Sequence, residues 1–312
     1  MSSISLNRIQ KDLLKFRRDK SLRDIFYYPY EDNIYRGRAL IVGPEDTPYE
    51  NGYYFFEIEF PKTYPQDPPK LVYSTLDSSC RFNPNLYKCG KVCLSLINTW
   101  QGDQWTPCQS LTSVLLSIQS MVLVKHPIQN EPGWEKEVGK KSKDYNKLIR
   151  YHNLRIAILK MLNDPPYGFN IFREQMIDYF MENRFKLMKY ISSIECDDKK
   201  IFRSQIYNMA YKFNIDSLKK GMESTYDIFI DYYKKKCESI IENSENLEVK
   251  PEPKLEPEIL EQKKVINKSK RKAPNSPAKN YAIGHELLSE NDNKIYIVKL
   301  IKNDVRRWVL KK

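Results

Sequence analysis

Asn83-Pro84-Asn85 stands eight residues before Cys93, in a stretch that reads Phe82-Asn83-Pro84-Asn85-Leu86-Tyr87-Lys88-Cys89-Gly90-Lys91-Val92-Cys93-Leu94-Ser95-Leu96. A cysteine thiolate attacks acyl carbon, and the tetrahedral intermediate needs a hydrogen-bond donor for its oxyanion. A side-chain amide behind a proline, as at Asn85, supplies such a donor. A nucleophile of this kind has to be open to solvent, so Cys93 is expected to be accessible. Two other readings of the cysteine stay open. Free cysteine is often a small core hydrophobe. Cys80, Cys89, Cys93 and Cys108 also form a possible zinc set, but their spacings of 9, 4 and 15 residues lack the paired halves of structural sites. His126, His152 and His285 are scattered, with no His/Asp partnering visible for Cys93, which disfavours a papain-like protease.

The elements that must hold this stretch are legible on either side of it. Leu6, Ile9, Leu13 and Phe16 recur at helical spacing under a charged face, which predicts a surface helix over 6–16. From Asp24 to Thr75 short runs rich in Tyr, Ile, Val and Phe, with Phe56, Ile58 and Phe60 alternating against Glu57 and Glu59, predict three or four antiparallel strands. Residues 76–109 have no sustained period and read as a long functional loop. Ser110 is an N-cap for a buried helix through Leu111, Val114, Leu115, Ile118 and Val122. Lys141 to Leu162 and Phe172 to Ile194 predict two more helices, and helical patterning continues to about Ile241.

Beyond that point the composition changes. Glu242 to Glu261 holds seven acidic residues against two lysines, and Lys263 to Lys279 holds seven basic residues and no acid. Neither segment has enough apolar surface to order itself. Ile295 to Leu300 and Trp308 to Leu310 predict a small terminal β module. The 312-residue chain is basic, with 52 Lys+Arg against 40 Asp+Glu. Its longest mostly apolar stretch, Val114 to Val124, falls well short of the roughly 20 residues of a membrane span. The first residues run at once into Arg8 and Lys11 without a secretory pattern, so a reducing compartment is expected.

Several motifs then agree in order and spacing. Asn83-Pro84-Asn85, Cys93, Trp105-Thr106-Pro107, Gly43-Pro44, Thr47-Pro48-Tyr49, and Phe60-Pro61-Lys62-Thr63-Tyr64-Pro65 leading to Pro68-Pro69 resemble the ubiquitin-conjugating enzymes. Within that family the likeness is strongest to the large atypical members that join carrier and ligase activity in one chain, on Gly90 to Leu96, Thr99-Trp100, Ser117 to Ser120 and Asn130-Glu131-Pro132-Gly133. It covers about residues 5–190. The resemblance implies an α+β fold: an N-terminal helix, a four-stranded antiparallel meander, an active-site loop, and central and C-terminal helices. With the tail patterns, the domains expected are a catalytic domain over 1–163, an α-helical extension over 164–241, a disordered acidic-then-basic linker over 242–280 and a small β module over 281–312.

The resemblance also implies a mechanism. Cys93 accepts ubiquitin as a thioester from a ubiquitin-activating enzyme and passes it to a substrate lysine, with Asn85 stabilising the oxyanion directly or by holding the loop. Glu131 aligns with the acidic position at the far rim of the site, where it orients or deprotonates the lysine. Asn83, Trp105 and Leu96 are loop supports or contacts to ubiquitin or the acceptor. No cofactor is implied, because ATP is used by the activating enzyme; a ubiquitin ligase is a further partner, and neither nucleic acid nor a membrane is. The chain departs from the family in two places. Asn83 replaces a histidine credited with shaping the loop, and Thr99 to Asp103 lengthens the path from Cys93 to Trp105, beside the acceptor approach.

The alternative is a noncatalytic ubiquitin-binding or scaffold variant of the fold, for which Asn83 is the supporting feature. Lys268-Ser269-Lys270-Arg271-Lys272 is by default a solvated linker and otherwise a nuclear import signal or a nucleic-acid contact, and the expected location is cytoplasm or nucleus.

Overall fold

The computed structural model describes residues 2–194, 201–245, 273, 278, 286–289, 294–301 and 305–310. Residues 1–240 form one compact unit and 241–312 a second. The first begins with helix α1, Ser2–Arg18, whose apolar stripe buries Ile9, Leu13 and Phe16. Strands β1 (Ile25–Pro29), β2 (Arg36–Val42), β3 (Tyr53–Glu59) and β4 (Lys70–Tyr73) follow as an antiparallel meander in sequence order. This is the α+β order of N-terminal helix and four-stranded antiparallel meander expected from the resemblance.

The period-two pattern holds only in the second half of β3, where Phe56 and Ile58 are buried, Glu57 is half-buried and Glu59 is exposed. In the first half Tyr53 to Phe56 are all buried, because both sheet faces are covered. On one face the Phe55 ring lies 4.7 Å from Phe169, and Tyr53 donates to the Met176 carbonyl at 2.7 Å. On the other, Tyr54 donates to Asn153 Oδ1 at 2.6 Å and packs edge-on against Phe82. Residues after 164 therefore complete the core of the same unit, covering a sheet face that would otherwise expose aromatic rings.

Helix α2, Leu111–Ser117, starts at the expected cap: Ser110 and Ser113 form a reciprocal capping box. The helix then widens to a π register over Ile118–Val122. Helix α3, Lys140–His152, also passes into a π segment, Asn153–Lys160, before a last turn, α4, Met161–Asn163. Helix α5 spans Arg173–Ser193.

The helical patterning expected to about Ile241 is interrupted once among the described residues. A hairpin of β5 (Ile201–Arg203) and β6 (Ala210–Lys212) precedes helix α6, Ile215–Glu245. The aromatic residues of the hairpin and its exit pack together and onto α3. Phe202 stacks on Phe213 at 4.2 Å, Phe213 on Tyr151 at 4.1 Å, and Lys147 lies 4.0 Å from the Phe202 ring centre.

In the second unit, β7 (Glu286–Leu288), β8 (Ile295–Ile301) and β9 (Val305–Leu310) form a three-stranded antiparallel sheet. Tyr296 and Val298 are buried while Ile295 and Lys299 are exposed, the alternation of a one-sided sheet. Most of the acidic-then-basic stretch, with the run Lys268 to Lys272, lies outside the described residues. Among the described residues no helix is long and apolar enough to cross a membrane.

Candidate active site

The long loop is ordered by its own backbone. Leu86 bridges to Asn83 and to Val92, Tyr87 and Gly90 form a tight reversal, and the Tyr73 N–H reaches the Gly90 carbonyl at 2.8 Å, hanging the loop on the sheet edge. Gly90 has φ +89°, and a Cβ there would lie 3.0 Å from the Tyr73 carbonyl oxygen, so glycine suits the reversal.

Within this frame Asn85 and Cys93 are joined twice. The Cys93 N–H donates to the Asn85 carbonyl at 2.9 Å, and Asn85 Nδ2 donates to the Cys93 carbonyl at 2.6 Å. The amide that the sequence points toward an oxyanion is engaged with the main chain of the candidate nucleophile. That places Asn85 on the loop-holding side of the two roles expected for it.

Asn83 is fully buried and satisfied. Its Nδ2 donates to the Val122 carbonyl at 2.7 Å and to Tyr49 Oη at 2.9 Å, and its Oδ1 accepts from the Asn85 N–H at 2.8 Å. Asn130 donates to the Met121 carbonyl at 3.0 Å. The end of the central helix leaves carbonyls without intrahelical partners, and two side-chain amides of the site take them up. Asparagine thus serves as the loop's anchor in place of the family histidine.

Cys93 is not open to solvent: it is 3% exposed, a correction to the expected accessibility. Its neighbours Val92 and Leu94 are buried, and the lengthened segment folds back against them. Thr99 Oγ1 accepts from the Leu94 N–H and lies 2.9 Å from the Val92 carbonyl, while Gly102, at φ +122°, passes so close to Ser95 that a Cβ would sit 3.2 Å from the serine Cβ. Cys93 nevertheless lies outside the contiguous apolar core, which does include Cys80. Burial pushes the Cys80 thiol well above the ordinary range, as expected of an inert packing residue. Cys89 and Cys108 are exposed, and among the described residues no three His, Cys, Asp or Glu side chains are grouped to hold a metal ion.

The remaining candidates are placed as follows. Trp105 is buried, its Nε1 donating to the Pro65 carbonyl at 2.8 Å and its N–H to Asn98 Oδ1 at 2.8 Å, so it locks the far end of the lengthened loop. Arg8 of α1 holds the following turn through the Pro107 and Gln109 carbonyls at 2.7 and 2.6 Å. Leu96 sits in a short helical turn, Ser95–Ile97, partly buried against the core. Glu131 accepts a hydrogen bond from the Tyr207 phenol.

Tyr207 was not singled out by sequence reasoning. It belongs to the β5–β6 connection, 76 residues beyond Glu131, and no motif links the two. The one local signal was the Ile201-Phe202-Arg203 and Ala210-Tyr211-Lys212 pair of short apolar-centred runs flanking it.

With this geometry in view, comparison with known proteins is direct. Residues 8–153 match the ubiquitin-conjugating enzyme family. Ubiquitin-conjugating enzyme E2 Z of Xenopus tropicalis is 41% identical over 177 residues, 56% of this chain and 56% of the relative. The Homo sapiens protein of that name is 42% identical over 159 residues, 50% of this chain and 44% of the relative. The dual E2 ubiquitin-conjugating enzyme/E3 ubiquitin-protein ligase BIRC6 of Mus musculus is 36% identical over 206 residues, 61% of this chain and 4% of that much longer protein. The chain spans about half the length of the E2 Z relatives it matches. Residues 8–153 are a ubiquitin-conjugating enzyme domain, and atypical members of that family are among the relatives of this chain.

Proposed function

We propose that this chain is a ubiquitin carrier that takes ubiquitin from an activating enzyme onto Cys93 and delivers it to a lysine amine. The observation that supports this most is the double tie between Asn85 and Cys93, at 2.9 and 2.6 Å, inside a domain of the family. In the first step the Cys93 thiolate attacks the thioester carbonyl at the ubiquitin C-terminus and the activating enzyme's thiolate leaves. One thioester replaces another, so the step is close to even in free energy. In the second step the amine attacks the same carbonyl, the Cys93 sulfur leaves, and the amine's proton passes to Glu131 or to water. Asn85 keeps the main chain around the sulfur in place through both steps, and Asn83 keeps Asn85 in place.

The buried thiol adds a condition. Because Cys93 is 3% exposed, the loop around it has to open when a ubiquitin tail enters. Access to the sulfur is then a point at which a partner, including a ligase, can act. Residues 164–240 pack on the catalytic domain and supply surface for substrate selection within the chain.

The burial of Cys93 also favours a second reading, a noncatalytic ubiquitin-binding variant. One experiment separates the two: the protein is mixed with activating enzyme, ATP and ubiquitin and run on reducing and nonreducing gels. The carrier reading expects an adduct removed by thiol, absent in Cys93→Ala, and resistant to thiol as an ester in Cys93→Ser. Absence of any adduct while ubiquitin still binds supports the second reading.

A further inference from the structure

The connection between β5 and β6 reaches back to the rim of the candidate site and makes three contacts there. The Tyr207 phenol donates to Glu131 Oε2. The Arg81 guanidinium carbon lies 4.0 Å from the Tyr207 ring centre and 3.9 Å from that of Tyr87, so one cation is shared by a ring of the extension and a ring of the active-site loop. The Arg81 N–H meets Met209 Sδ at 3.3 Å. Arg81 in turn donates through Nη2 to the Pro84 carbonyl at 2.6 Å, the residue immediately before Asn85.

These contacts hold an unfavourable backbone. Tyr207 and Asn208 have φ of 59° and 50°, the left-handed region, which is unfavourable for a side chain such as tyrosine and persists only where surrounding contacts over-determine it. Burial, and then the bond to Glu131, hold the Tyr207 phenol far above its ordinary range, so it remains a donor at any working pH. Glu131 receives no other hydrogen bond from the described side chains, and its Oε1 is not among the buried unpartnered atoms.

We infer that Tyr207 is a positioning residue for the acceptor step: it fixes the Glu131 carboxylate through Oε2, leaves Oε1 to receive the lysine amine, and through Arg81 ties that rim to the segment carrying Asn85. The inference rests on the reading of Glu131 as the acid that receives the lysine. It gives the extension a task in the chemistry beyond covering the sheet. Tyr207→Phe changes one oxygen and keeps the ring over Arg81, so it isolates the hydrogen bond from the packing.

The test is single-turnover discharge of the Cys93–ubiquitin thioester to free lysine, over a range of lysine concentrations, in the full chain, with rates referred to the amount of thioester formed. Wild type, Tyr207→Phe, Glu131→Gln and the double variant are compared. Tyr207→Phe is expected to discharge about tenfold more slowly at low lysine, the scale of one lost hydrogen bond to a charged group, with a higher half-saturating lysine concentration. In the Glu131→Gln background the same change is expected to add less than twofold, because the carboxylate it orients is gone. Discharge by Tyr207→Phe within twofold of wild type, discharge faster than wild type, or a full tenfold loss repeated on top of Glu131→Gln overturns the inference. Normal discharge by Glu131→Gln overturns it through the role of Glu131, with the carrier reading intact. Failure of the wild-type protein to form a thioester overturns the carrier reading itself.

Discussion

Replacing Asn85 by alanine separates the two ways an amide beside a thiol can act. The side chain makes one strong bond, Nδ2 to the Cys93 carbonyl at 2.6 Å, while its Oδ1 is buried without a partner. Alanine removes the first, leaving a carbonyl under-satisfied at a cost of about 1–3 kcal/mol, and removes the second, which returns part of that. The net loss is about 1 kcal/mol, which in a unit of this size lowers Tm by about 2–4 °C. If Asn85 works by holding the loop, discharge slows by about tenfold, in step with the same free energy. A direct oxyanion donor is worth more, about 10²–10³ in rate. The assay is thioester formation and single-turnover discharge to free lysine, with thermal melts on the same samples. Asn85→Asp, which keeps the shape but cannot donate when ionised, is expected to be at least as slow as alanine. A loss beyond a hundredfold in discharge, with charging and Tm unchanged in Asn85→Ala, refutes the loop-holding account and shows that the amide leaves the Cys93 carbonyl during the reaction.

Two further outcomes are expected. Asn83→Ala removes the acceptor of the Asn85 N–H and one of two donors to the Val122 carbonyl, which keeps the Val124 N–H, so it destabilises by about 1–3 kcal/mol, read as a Tm drop on the order of 2–10 °C; no measurable drop would show that water or a rearranged loop replaces them. His152, fully buried, has its pKa driven from 6.5 down to about 3 by burial and then by Arg155. Between those values the unfolded chain binds a proton that the folded one refuses, so stability is unaffected above pH 6.5 and falls on acidification, by up to about 1.4 kcal/mol per pH unit. Urea denaturation from pH 7 to 5 measures this, and His152→Asn is expected to flatten the slope; an equal slope in both proteins assigns it to other groups.

The sequence by itself determined the elements whose signals are local. The apolar stripe of α1, the Ser110 cap, the strand alternation of Phe56 to Glu59 and the Asn-Pro-Asn to Cys93 spacing are each complete within a few residues, since helix and strand periods and turn chemistry act over that range. The tertiary structure alone decided the rest. Thr99 bonds to Val92 and Leu94 on either side of the buried Cys93 and Gly102 lies against Ser95, and no pattern in either segment states that they meet. Asn83, expected as a loop support or a contact, is an anchor because its neighbour in space is a last carbonyl of the central helix, 39 residues away in the chain. The β5–β6 hairpin resembled more helix because its aromatic residues satisfy either pattern; their stacking with Phe213 and Tyr151 of α3 exists only in the folded chain. The same fold-back carried Tyr207 to Glu131 across 76 residues, a pairing that exists only once the chain has closed.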